Sequence, residues 1–140
     1  MPTSDKSNTN LASTYHVLSA LHRLGHDARL TLGKARTVGV VVVNEDGRNV
    51  DVEVKGLAGK NPWPVDNVGP SRADLFCALV CFGGTMQEVG MTPEVWAIPS
   101  TALSPFVYHA PGGRKVVQYT SLARDGQRFR GAWHLIAGGQ

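Results

Sequence analysis

Val38-Gly39-Val40-Val41-Val42-Val43 and Asp51-Val52-Glu53-Val54-Lys55, joined across Asp46-Gly47, decide how this chain folds. The first run stays apolar almost to Glu45, and such continuity predicts a strand over 38–45 buried on both faces. The second alternates strictly. On a strand, Asp51, Glu53 and Lys55 then share one face, and Val52 and Val54 share the other. Asp46-Gly47 is a hairpin signal, so residues 49–55 are expected to return antiparallel to the valine strand. A carboxylate and a lysine aimed from one strand into a common space can hold a divalent metal and a phosphate. By itself, the same alternation also fits a solvent-facing sheet surface.

Upstream, Leu11, Tyr15, Leu18, Leu21 and Leu24 recur at helical spacing, with Asn10 placed to cap the start and Gly25 to end the turn. The spacing predicts a helix over 11–24, preceded by a disordered lead over 1–10, with a single domain over 11–140. Residues 28–32 read as a short strand. Downstream, residues 56–70 are rich in Gly, Pro and Asn and read as a loop with Trp63 packed down. Strands are expected over 75–82 and 94–98. A short helix is expected over 101–108, opened by Pro99-Ser100 with Ser100 as its cap. Ala110 to Gly113 reads as a turn, and residues 116–122 fit a strand or an extended edge. Residues 129–136 fit a final helix or strand anchored by Trp133. This order predicts an α/β domain, a mixed central β-sheet flanked by helices.

With 140 residues, 42% of them hydrophobic, the chain can bury a core without staples. No apolar run approaches the ~18–20 residues of a membrane-spanning helix. The first ten residues lack the layout of a signal peptide, so a cytoplasmic protein is expected. Cys77 and Cys81, four residues apart on one strand, would stand roughly 13 Å apart, too far to bridge. They read as buried free thiols. The five histidines show no tight metal-ligand spacing, and Trp63, Trp96 and Trp133 read as core anchors. A net charge of +3 permits nucleic-acid binding without requiring it. Lys34 and Arg36 lie just before the Gly39 strand, and Lys60 just after the Glu53 strand.

Leu11-Ala12-Ser13-Thr14-Tyr15, Val38-Gly39-Val40-Val41, Glu53-Val54-Lys55, Trp63 and Trp96-Ala97-Ile98-Pro99-Ser100, in this order, resemble the PD-(D/E)XK nuclease-like superfamily. Within it, the chain looks like the small bacterial proteins of this fold. The resemblance covers about residues 11–108 and implies a restriction-endonuclease-like fold. It also implies a phosphodiester-cleaving site, in which acids hold Mg²⁺ or Mn²⁺ against the phosphate and a lysine orients the attacking water. Carried over position by position, Glu53 is the second acid and Lys55 the lysine. The first acid falls on Gly39, and a helical acid falls on Thr14. One carboxylate holds magnesium poorly. Asp51, on the Glu53 face but about 7 Å along the strand, is the acid that could replace the lost ligand.

Three functions follow. The first is a nuclease-fold protein with an impaired metal site that binds DNA through Lys34, Arg36 and Lys60 around the Glu53–Lys55 cleft. The second is an active endonuclease using Glu53, Lys55 and Asp51 with Mg²⁺ or Mn²⁺. The third is a module for a protein partner or for self-association as a homodimer.

Overall fold

The computed structural model describes residues 5–32 and 38–136. Helix α1 (Asp5–Arg23) leads into strands β1 (Asp27–Leu32), β2 (Val38–Val43) and β3 (Asn49–Leu57). These three form an antiparallel meander. Strand β4 (Trp63–Pro64) lies in the connection to β5 (Leu75–Cys81), which pairs parallel to β3. Strand β6 (Glu94–Pro99) then pairs antiparallel to β5, completing a mixed five-stranded sheet in the order β1-β2-β3-β5-β6. Two 3₁₀ turns follow, then β7 (Val107–His109), β8 (Lys115–Val117), α2 (Tyr119–Asp125) and α3 (Trp133–Ile136). Strands β4, β8 and β7 make a second, three-stranded sheet. The α/β class read from the sequence is the observed one.

The valine hairpin forms as its turn signal predicts. Gly47 takes φ +85°, a left-handed value open to glycine, and Asn44 N–H pairs with Arg48 O at 3.0 Å across the turn. Helix α1 stops as expected at Gly25 (φ +89°). Gly25 N–H donates to His22 O and His26 N–H to Leu21 O, the paired bonds of a Schellman end.

Its start is different. Residues 5–10 are helical, so Asn10 is interior and caps nothing, while residues 1–4 of the expected lead lie outside the described residues. The extra turns are explained by a contact that apolar periodicity does not register. Thr9 and Ser13, both buried, cross β3 at Gly56, and Asn10 Oδ1 accepts the Gly56 N–H at 3.2 Å. A Cβ at Gly56 would stand 2.0 Å from Ser13 Oγ and 3.0 Å from Thr9 O. Gly56→Ala is therefore expected to lower stability by about 1–3 kcal/mol through overpacking. Denaturant unfolding checks this, and Ser13→Gly in the same chain should recover part of the loss.

The central sheet is covered unequally. On one face α1 and α3 bury Val40, Val42, Val52, Val54, Ala78 and Val80 with Val17, Leu21 and Ile136. On the other face, the 3₁₀ turns, the small sheet and α2 cover β5 and β6, enclosing Trp63, Leu79, Trp96, Ile98 and Leu122. This second layer is not laid over β2, where Gly39, Val41 and Val43 are only half-buried. The valine strand is thus buried on one face, not two. Its continuous apolarity resembles that of a central strand, but distant residues decide what covers it.

The 101–108 helix is replaced by 3₁₀ turns at Ser100–Ala102 and Ser104–Phe106 and by β7. Pro105, at the second turn, is compatible with a short turn and not with a longer helix. Residues 116–122 divide into the end of β8 and the start of α2. Trp63 and Trp96 are core anchors, Trp133 is half-buried beside His16, and both cysteines are free and buried.

Candidate functional site on the open face of the central sheet

Where the second layer stops, β3 presents Asp51, Glu53 and Lys55 on one partly exposed face, as its alternation requires. Their burial alternates with that of Val52 and Val54 on the α1 side. The β2–β3 register pairs Val40 with Val52. Continued by one residue, it sets Gly39 opposite Glu53, and directly opposed residues share a face. Lys55 Nζ lies 3.9 Å from Glu53 Oε2, with both side chains partly shielded. On the other side of Glu53 in register is Cys77, whose thiol is pushed up to about 12 by burial and then by the Glu53 charge. This thiol stays protonated at neutral pH and offers no nucleophile.

Asp51 is turned to another task. Arg72 Nη2 donates to its Oδ2 at 2.7 Å, and the same guanidinium pairs with Asp74. The Arg72 guanidinium holds the Asp74 carboxyl below the usual carboxylate range. Arg72 is in turn fixed by Ser100, whose Oγ accepts the Arg72 N–H at 3.0 Å and donates to the Arg72 carbonyl at 2.8 Å. Ser100 makes no cap bond to the turn that it opens, so its expected capping role is corrected to this clamp. Neither Arg72 nor Ser100 was legible as part of this face. Their link spans 28 residues, and no local pattern carries it.

Thr14, where the resemblance would set a helical acid, donates its hydroxyl to Asn10 O at 2.8 Å. Because α1 packs on the Val52–Val54 face, the sheet separates it from Glu53 and Lys55. Glu45 and Asp46 belong to the hairpin, where Asp46 Oδ1 accepts Arg48 N–H.

These residues do not fit a divalent cation. Glu53 is a single carboxylate with a lysine beside it, Asp51 already carries a guanidinium, and a hard ion needs several oxygens. Among the described residues, no group of three or more His, Cys, Asp or Glu side chains is placed to hold a metal.

Of the expected nucleic-acid contacts, Lys34 and Arg36 lie outside the described residues. Lys60 is exposed, with its ammonium 5.0 Å from the centre of the Tyr119 ring. Tyr119 is anchored by donating to Glu94 Oε1 at 2.8 Å, and Arg130 pairs with the same carboxylate. No helix among the described residues is long and apolar enough to cross a membrane. Compared with protein-family models, curated proteins and solved structures, the chain matches none.

Proposed function

We propose that this chain is a nuclease-fold protein of the PD-(D/E)XK type whose metal centre is reduced to the Glu53–Lys55 pair, and that it binds DNA in the cytoplasm without cutting it. The observation that carries the reading is the register placing Gly39 opposite Glu53, with Lys55 one step along the same face. This arrangement supports reading position 39 as that of a first acid, here hydrogen, with Glu53 as the second acid and Lys55 as the lysine. The order of elements agrees with it: a helix, a three-stranded meander, then a strand parallel to the third.

Lys55 at 3.9 Å from Glu53 gives the surviving carboxylate a resident counter-charge in place of a metal. The binding part of the proposal rests on the net charge of +3 and on the basic residues that flank β2 and β3 in the sequence, Lys34, Arg36 and Lys60. If these three residues neutralise three phosphates, affinity should fall roughly 40-fold between 50 and 200 mM salt.

Fluorescence anisotropy with labelled duplex, repeated across that salt range, is the test, paired with a cleavage assay in Mg²⁺ and Mn²⁺. The expected result is salt-dependent retention, no product, and a flatter salt slope in the Lys34→Ala/Arg36→Ala/Lys60→Ala variant. Cleavage by the natural chain that Glu53→Ala abolishes would replace this reading with an active enzyme using Asp51. No retention even at 50 mM salt would replace it with a protein-binding or self-association role.

A further inference from the structure

The two edges of the central sheet are finished differently. Along β6, Trp96 bridges to Arg130 and Gly131 N–H donates to Val95 O at 2.8 Å, so the C-terminal segment closes that edge. Along β1, the one contact of this kind among the described residues is His22 Nε2–H donating to Ala28 O at 2.7 Å. A carbonyl has two lone pairs, so this bond leaves Ala28 O able to accept once more.

Edges of monomeric sheets are commonly blunted by proline, lysine, a bulge or an inward charge. Asp27-Ala28-Arg29-Leu30-Thr31-Leu32 has no proline, lysine or bulge, and its two charges, Asp27 and Arg29, stand on the face away from α1. Its six residues pair with β2 in unbroken register. Its two charges satisfy each other, with Arg29 Nε and Nη2 donating to the Asp27 carboxylate at 3.1 and 2.9 Å. Leu30 and Leu32, on the α1 side of the sheet, are 41% and 77% exposed.

We infer that β1 is a self-association edge, and that its occupant is β1 of a second copy, added antiparallel about a two-fold axis perpendicular to the sheet. Such an axis keeps like faces together and makes the contact isologous. Centring the pair on Leu30 engages the whole of Ala28–Leu32. It sets the two Leu30 side chains together, Leu32 against the small Ala28 of the second copy, and Arg29 against Thr31. No like charges oppose each other in this register. Centring one residue earlier would set the two Arg29 guanidinium groups face to face, which is unfavourable. Centring one residue later would leave only residues 30–32 paired within the described strand. The chosen register joins two five-stranded sheets into one of ten strands and covers the exposed leucines. A single strand pair is small beside the ~1,200–2,000 Å² of stable complexes, so the dimer depends on concentration.

Sedimentation velocity on the full chain from micromolar to millimolar concentration tests this directly. The mass should rise from one chain to two, and the Leu30→Lys/Leu32→Lys variant should stay at one chain throughout. Val89→Lys, a change at another exposed apolar residue, should leave the dimer intact. Should the double variant fail to fold, hydrogen exchange in the natural chain decides, because β1 amides should gain protection as concentration rises. A natural chain that stays monomeric at millimolar concentration overturns the inference. So does a dimer that survives the double substitution, or one formed without added protection in β1.

Discussion

Trp63→Ala should remove about 3–5 kcal/mol of stability, the range for truncating a fully buried tryptophan. Trp63 is completely buried between the central sheet and the second layer. Its ring meets Trp96 edge-on at 5.8 Å and lies roughly parallel to Tyr119 at 6.4 Å. Its indole N–H donates to Val80 O at 3.0 Å, so truncation also leaves a buried carbonyl without that donor. Strand β4 consists only of Trp63 and Pro64, yet it pairs with β8 in the second sheet. The expected loss is a large share of the 5–15 kcal/mol that stabilises a typical domain. At roughly 2–4 °C per kcal/mol for a chain near this size, Tm should fall by about 6–20 °C. Calorimetry and urea unfolding read both values. A loss under about 1 kcal/mol would mean that the second layer is not part of the cooperative core.

What was legible in the sequence follows from how local its cause is. Asp46-Gly47 and Gly25 act within a few residues, so the valine hairpin and the end of α1 were readable. The alternation over 51–55 has a period that belongs to the strand alone, so the shared face of Asp51, Glu53 and Lys55 was readable too. The start of α1 was not, because Thr9, Asn10 and Ser13 are recruited by a glycine more than forty residues away. Nor was the three-stranded sheet, whose strands are two or three residues long and are held by packing around Trp63 and Val117. The site divides the same way. The shared face of Glu53 and Lys55 could be named from their alternation, whereas Gly39 was singled out by the resemblance alone. The Ser100–Arg72–Asp51 chain could not, since it exists only after β5 and β6 bring residue 100 beside residue 72.

A carboxylate introduced at position 39 should convert the Glu53–Lys55 pair into a divalent-cation site. Gly39 is not in the left-handed region, so a side chain is sterically admissible there. A Cβ would meet only Thr31 Oγ1 at 3.2 Å and Val52 O at 3.5 Å within contact range. Thr31 is exposed on the edge strand, so its hydroxyl can rotate away from the added group. In Gly39→Asp, the new carboxylate faces Glu53 across the β2–β3 register, and two adjacent negative charges repel each other. The metal-free variant should therefore be less stable than the natural chain, and Mn²⁺ should reverse the deficit. At 100 times its dissociation constant, a bound ion contributes about 2.7 kcal/mol, or an upward Tm shift of several degrees. The natural chain should show no such shift, nor should Gly39→Asn, which adds the volume without the charge. Gly39→Asp/Glu53→Gln separates a two-carboxylate site from adventitious binding at the introduced carboxylate alone. Calorimetric titration with Mn²⁺ and thermal melts across metal concentration give readouts independent of any cleavage. Equal Mn²⁺ shifts in Gly39→Asp and the natural chain, or none in either, would show that position 39 does not complete a site with Glu53.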